Sequence, residues 1–434
     1  MSAKNGGKFD HLFYELVPPY SGFKGEAQIP GSTYNLAYQN VTAPIVLDDT
    51  LHRHSAEQYL IFLGGELPDV FSSWDAEATL QLGPSSTTLT TVTITKPSVV
   101  RIPRNWQHGH VEVTKVGKPL VYQAALLEGS AEKLFGNADF PAPLLTAEGE
   151  RLTIADLVCE LPIETTEWGP WCPTPQAYFR GTTYMKEAGF HVGFQVFTGD
   201  FPMEDGHMHQ GEEYIFFLGG ETGSDGLIDV FDFRGKIEFY IGSDPDHMEV
   251  HWLDKPTVVR LPPNIWHSPI NFTQVTGKIQ FMATWLNGTW GTITRREQPD
   301  GAKYYNYMGD DMRMCVLEPS KRCTLCTKCF KLFKEGTFRP GDNLSALEVE
   351  KAKAPAEAAP VEAPAAEVPA PRVKRAYKKR EKPAAAEETV KAPKATKAPK
   401  AAKAEKVTKA AKTAKTEKAE KPPKTAKPRK TKQK

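Results

Sequence analysis

Two imidazoles and a carboxylate recur at strand spacing in His207-Met208-His209-Gln210-Gly211-Glu212-Glu213-Tyr214-Ile215-Phe216-Phe217-Leu218-Gly219-Gly220-Glu221. Alternate residues of a strand share a face, so His207, His209 and Glu213 project together while Glu212 and Tyr214 project the other way. Such a set can ligate a divalent metal. The stretch Pro262-Pro263-Asn264-Ile265-Trp266-His267 can add a third imidazole, His267, from a paired strand. Three His and one Glu leave one or two coordination positions open, and an open position suits catalysis rather than structure. The donors accommodate Mn, Fe, Zn, Ni or Co. Inward parity continues to Ile215 and Phe217, which would form an apolar wall. Arg260, at the strand end before Pro262, is the candidate catalytic residue. Its guanidinium could hold a carboxylate or enolate, or serve as a structural ion-pair partner.

The elements that position these residues occur twice. His52-Arg53-His54-Ser55-Ala56-Glu57-Gln58-Tyr59-Leu60-Ile61-Phe62-Leu63-Gly64-Gly65-Glu66 aligns without a gap, at an offset of 155 residues, with the stretch opening at His207. Val99-Val100-Arg101-Ile102-Pro103-Arg104-Asn105-Trp106-Gln107-His108 aligns with Val258 to His267. A repeat of this length is a duplicated domain. Copy one offers His52, His54, Gln58 and His108 as a weaker second metal site, because Gln58 stands where copy two has Glu213. Glu57 faces the other side by parity unless a bulge turns it. His110 and Glu112 share parity with His108 and could turn inward. His191, His247 and His251 lie off the motif and read as surface or structural.

The two stretches resemble the cupin family, whose first motif runs HxH, three or four residues, Glu, six residues, Gly. Its second is P-x-G-x-x-H-x-x-x-N. His207, His209, Glu213 and Gly220 match the first; Pro262, His267 and Asn271 match the second, with Asn264 in place of Gly, and Asn also tolerates positive φ. The resemblance covers about residues 30–295 and implies an all-β fold of two tandem cupin barrels, a bicupin with a divalent metal ion. Alternating apolar and polar residues, as in Ala78–Leu82 and Ile237–Ile241, suit barrels with one filled face. The run Tyr214-Ile215-Phe216-Phe217-Leu218-Gly219 also resembles the manganese-dependent dihydrophloroglucinol cyclohydrolase-like bicupins of anaerobic bacteria, which favours Mn.

Charge divides the chain. From Lys351 on there are 26 Lys and Arg against 9 Asp and Glu; of the chain's 54 basic and 53 acidic residues this leaves 28 and 44 for residues 1–350. An acidic body argues against nucleic-acid binding by the barrels, whereas the Lys/Ala/Pro-rich segment 351–434 reads as a disordered tail open to non-specific nucleic-acid or polyanion contact. The expected domains are 1–140, the first barrel with an N-terminal arm (Phe13 to Tyr20) that packs on a neighbouring domain or subunit; 141–175, an interdomain segment; 176–295, the second barrel; 296–350, a Cys-containing extension; and 351–434, the tail. Short helices are expected at Ser130 to Phe135 and within Leu145–Leu157, with Thr153 as a cap. Trp168 and Trp171 read as packing or substrate recognition.

Cys315, Cys323, Cys326 and Cys329 combine CxxCxxC spacing with a fourth thiol, a possible site for zinc or a cluster. Six cysteines, four of them grouped, do not resemble a disulfide framework. With no apolar run of 18 residues and no apolar N-terminal region, the expectation is a cytoplasmic protein without membrane contact. A homo-oligomer acting on a small molecule is expected. Three functions suit the residues: a metal-dependent hydrolase or lyase that cleaves a carbon–carbon bond or opens the ring of a small polycarbonyl compound; a metal-dependent dioxygenase of an aromatic or enolic substrate; and a non-catalytic storage or regulatory bicupin.

Overall fold

Buried and less buried residues alternate along strands such as Ala76–Gly83 and Lys236–Gly242, which turn one face to a barrel interior, whereas Glu57–Gly64 and Glu212–Gly219 carry apolar runs buried on both faces. The computed structural model describes residues 7–342, apart from 70–72, 129–130, 165–174, 204, 287–290 and 310–312. The chain forms two tandem β-barrels of cupin type, each made of two sheets. In the first barrel one sheet runs Val158–Glu160, Ser98–Ile102, Glu57–Gly64, Leu120–Leu127, Asn35–Val41, Gly22–Lys24. The facing sheet runs Ile45–Asp48, Gln107–Val116, Ala76–Gly83, Thr90–Ile94. The second barrel repeats the first sheet as Phe13–Glu15, Thr257–Leu261, Glu212–Gly219, Ile279–Leu286, Phe190–Phe197, Gln176–Arg180, Ile163–Glu164. Its facing sheet runs from Met248–Leu253 through Lys236–Gly242, Trp266–Thr273 and His207–His209, and the extension then adds Thr292–Glu297, Lys303–Met308 and Met314–Cys315.

The interiors are apolar. Leu60, Phe62, Leu80, Ile94 and Val113 fill the first barrel, and Ile215, Phe217, Phe239, Phe272 and Phe281 fill the second. A third core, with Tyr59, Ile61, Leu63, Phe190, Phe194, Tyr214 and Phe216, joins the outer faces of the two large sheets, so the barrels stand back to back.

Each barrel receives an edge strand from outside itself. Phe13–Glu15 of the N-terminal arm pairs antiparallel with Val259, Val258 and Thr257, and Val158–Glu160 pairs with Val100, Val99 and Ser98 of the first barrel. The arm therefore belongs structurally to the second barrel. Phe9, Leu12 and Phe13 join that barrel's apolar core, and His251 is buried, stacked on Phe13 at 4.2 Å between centroids and bonded to Glu249 at 2.9 Å. His247, by contrast, is exposed on a loop.

Several expectations need correction. Residues 131–135 hold no helix; Leu134 instead bridges to Arg53. Within Leu145–Leu157 only Ile154–Leu157 is helical, a 3-10 turn closed by a Thr153–Asp156 capping box, because Leu145 and Arg151 pair as a bridge. His110 and Glu112 face solvent. The ladder slips between Thr79 and Gln81, where Gly109 and His110 have positive φ, and this bulge reverses parity so that Val111 and Val113 point inward. Trp168, Trp171 and the tail from 351 lie outside the described residues. No helix of the described residues is long and apolar enough to cross a membrane.

Candidate metal centres

Both barrels bring three imidazoles together. Among the described residues, His207, His209 and His267 form one group whose ligand atoms lie within 4.8 Å of one another, and His52, His54 and His108 form the other. The placement follows from pairing. His207 sits in register with His267, and His52 bridges to His108, so the HxH strand always faces the motif-two His. Asn264 and Asn105 hold the turn before that His with φ of 66° and 64°. Their N–H groups donate to the carbonyls of His209 at 2.9 Å and His54 at 2.8 Å.

Each ring is oriented by a main-chain carbonyl. His207 Nδ1 donates to Asp205 O (2.9 Å), His209 Nδ1 to Gly291 O (3.1 Å) and His267 Nδ1 to Ile265 O (3.2 Å). In the first barrel the acceptors are Thr50 O for His52 (2.8 Å), Glu132 O for His54 (2.9 Å) and Trp106 O for His108 (3.2 Å). A carbonyl only accepts, so Nδ1 carries the proton and Nε2 keeps its lone pair. Burial reinforces this. It pushes His209 down to about 3 and His267 well below the usual imidazole value, with neighbouring imidazoles adding to the effect. It lowers His52, His54 and His108 as well. In these five rings the shift favours the neutral form, the one that binds metal.

The fourth position separates the two sites. Glu213 Oε2 lies 3.2 Å from His267 Nε2 and 3.5 Å from His209 Nε2. Glu213 is 2 % exposed. Glu213 Oε2 and His209 Nε2 are buried without a hydrogen bond, and burial raises the carboxyl's pKa despite the nearby imidazoles. Buried polar atoms without partners are uncommon and costly. A divalent cation bound to His207, His209, His267 and Glu213 would satisfy all of them, so the donor set fits a metal ion. In the first barrel Gln58 takes the Glu213 position, and its Oε1 is also buried without a partner, as is His108 Nε2. That set is uncharged and offers an amide oxygen where the other offers a carboxylate.

Arg260 does not reach the centre. It stands opposite Tyr214, on the face turned away from Glu213. Its Nε donates to Glu212 at 2.5 Å and its Nη1 to Pro30 O at 2.8 Å. Arg101 repeats this with Glu57 at 2.9 Å and Lys186 O at 3.1 Å. Both arginines tie a barrel's outer face to the other half of the molecule. Among the described residues the thiols form no set of three within 4.8 Å, although burial raises the Cys329 pKa and Cys315 and Cys323 lie near enough to add to it. Cys329 is buried at the helix Lys328–Lys334, where its Sγ accepts the Tyr305 N–H at 3.2 Å, while Cys326 is exposed. Among the described residues, the two His groups are the only sets of three or more such donors within 4.8 Å.

One set of residues escaped the sequence reading. Glu213 pairs in register with Trp285, Trp285 with His191, and His191 with Arg180. This row crosses four strands on the inner face of the second barrel. The signal was present in the repeat, since the matching row of the first barrel is Gln58, Leu126, Asn35 and Lys24.

No family model matches the chain, and no curated protein matches it. Solved structures similar in fold include oxalate decarboxylase of Bacillus subtilis, with its Mn(II) centres, at 9% identity over 65% of this chain and 78% of that one, with a TM-score of 0.41. Another structure of the same enzyme, at pH 4.6, is 11% identical over 64% and 76%, with a TM-score of 0.41. AerE from Microcystis aeruginosa is 11% identical over 64% of this chain and 99% of that one, with a TM-score of 0.35. The barrels and centres above rest on this chain's own strand registers and side-chain geometry.

Proposed function

We propose that the second barrel is a metal-dependent enzyme that opens or cleaves a small polycarbonyl compound, such as a cyclic 1,3-diketone, with water. The observation that carries this reading is the Glu213 carboxylate among three imidazoles whose Nδ1 atoms face main-chain carbonyls, buried and without hydrogen bonds at Oε2. A divalent ion held there would keep a net charge of about +1 and would supply Lewis acidity towards a carbonyl oxygen and towards water. The chain's own contribution is to fix the donors. Three main-chain carbonyls set the tautomers, Glu213 supplies the single negative charge, and Ile215, Phe217 and Trp285 give the site apolar walls. A 1,3-dicarbonyl suits such a site because its enolate spreads one negative charge over two oxygens.

Manganese is the ion we propose, on the donor set and on the resemblance of Tyr214 to Gly219 to manganese-dependent cyclohydrolase-like bicupins. The test is turnover of cyclic 1,3-diketones under strict anoxia by protein loaded with Mn or another redox-silent ion. Ring-opened carboxylate product under anoxia is expected. Activity that requires Fe and air would replace this reading with a dioxygenase, and a lack of turnover in either condition would leave a metal-binding protein.

A further inference from the structure

Trp285 differs from the other apolar residues of the second barrel in one respect. Its side chain is 93 % buried, being 7 % exposed, and among the described residues nothing accepts its indole N–H. The ring meets His209 edge to face, with centroids 5.7 Å apart and planes at 78°. On the adjacent strand its register partner is Glu213. The N–H thus shares its predicament with His209 Nε2 and Glu213 Oε2, which are also buried and without hydrogen bonds.

Packing does not explain an indole at this position. The duplicated barrel places Leu126 at the same point of the row, opposite Gln58, so that this position carries no polar atom there. Leaving a buried donor unsatisfied is unfavourable, and a leucine avoids it. At these two row positions the carboxylate and the indole thus occur together in one barrel and are replaced together, by Gln58 and Leu126, in the other. A cation at the imidazoles would satisfy His209 Nε2 and Glu213 Oε2 but would repel an N–H. An acceptor atom bound beside the cation would satisfy the indole N–H as well.

We propose that the Trp285 indole N–H is a substrate-binding donor of the second centre, hydrogen-bonded to an oxygen of the bound small molecule. This deepens the functional reading above and rests on it. The ligand class is a compact anionic oxygen compound with at least two acceptors, a 1,3-dicarbonyl enolate or a related carboxylate. One oxygen faces the imidazoles and another faces Trp285. The first barrel, with Gln58 and Leu126, would lack this selectivity.

The experiment uses the full chain loaded with zinc, which is diamagnetic, and cyclohexane-1,3-dione as probe. Three quantities are measured: metal content, dione affinity by calorimetry, and the indole N–H resonance of Trp285 in ¹⁵N-labelled protein, assigned by its absence from the Trp285→Phe variant. The expected result is unchanged metal content in Trp285→Phe, about tenfold weaker dione binding, and a shift of the Trp285 resonance when dione is added to the wild type. Should the phenylalanine variant not fold, Trp285→Tyr provides the assignment and the wild-type shift decides. Affinity within twofold of wild type, an unmoved resonance, no dione binding by the wild type, or loss of metal from the variant would each overturn the proposal; the last would make Trp285 a prop for His209. None of these readouts needs turnover. A variant that loses affinity while the wild type turns over no diketone leaves Trp285 as the donor and removes the hydrolase reading. Turnover with an unaffected variant does the reverse.

Discussion

Glu15 of the N-terminal arm is held 2.9 Å from Lys255 of the second barrel. The first barrel repeats the relationship between Glu160 and Lys96 at 2.8 Å. The next residue of each arm follows the same rule, since Leu16 N–H donates to Pro256 O and Leu161 N–H to Pro97 O. The two edge strands are thus pseudo-equivalent, each contributed from outside the barrel it completes.

Energetics divide this contact sharply. Leu16 and Leu161 are buried in the core between the barrels, whereas the side chains of Lys255, Lys96 and Glu160 are more than half exposed. Leu16→Ala and Leu161→Ala should each destabilise the protein by about 2–4 kcal/mol. Glu15→Ala and Glu160→Ala should cost under about 1 kcal/mol. Denaturant titrations of the four variants check this, and a salt-bridge mutant as damaging as a leucine mutant would contradict it.

The difference between the centres predicts a difference in affinity. His207→Ala should remove most of the second-barrel metal, since a methyl group cannot replace an imidazole ligand. Gln58→Glu should strengthen the first site by about tenfold or more, because it restores one negative charge among neutral rings. Chelator competition with metal analysis reads both. Equal affinity of the two wild-type sites would show that the carboxylate does not govern binding.

Much of the centre was legible in the sequence because its determinants are local. A spacing of two puts His207 and His209 on one face, and a fixed turn at Asn264 aims His267. The remainder depends on register between distant strands. The Trp285 row is visible only once Glu212–Gly219, Ile279–Leu286 and Phe190–Phe197 are paired. His110 shares parity with His108 yet faces solvent because a bulge, unmarked except by Gly109, resets parity. Arg260 illustrates the limit of position alone, since it adjoins the motif in sequence yet points to the opposite face. The thiols have metal-binding spacing, but their burial differs, with Cys329 buried, Cys326 exposed and Cys315 and Cys323 between.

Arg260 therefore yields a separable outcome. Arg260→Ala leaves Glu212 and the Tyr214 hydroxyl, which donates to Glu212 at 2.8 Å, without their cation. A loss of stability of about 1–3 kcal/mol is expected, with kcat for the metal-dependent reaction within about threefold of wild type. A kcat loss of several hundredfold in a variant that remains folded would return Arg260 to the catalytic machinery.

The arm should also respond to acid, through Glu249. Its carboxylate accepts the Phe9 N–H at 2.9 Å and the Lys8 N–H at 3.2 Å, and it bonds His251 at 2.9 Å. Asp10 lies 3.6 Å from the other His251 nitrogen. Burial alone would raise the Glu249 pKa, but the bonds from His251 and the two arm amides outweigh it and hold the carboxyl below its ordinary 4.5. The unfolded chain therefore takes up this proton at higher pH than the folded chain does. The resulting stabilisation is fully present above the unfolded value and is lost as pH falls through the folded one. Glu249→Gln should be about 1 kcal/mol less stable than wild type at pH 7, with the gap closing as pH falls from 5 to 3. Urea titrations of both proteins across that window measure it. A gap that stays constant down to pH 3 would mean that the amide reproduces the latch by shape and that the charge on Glu249 contributes nothing to holding the arm.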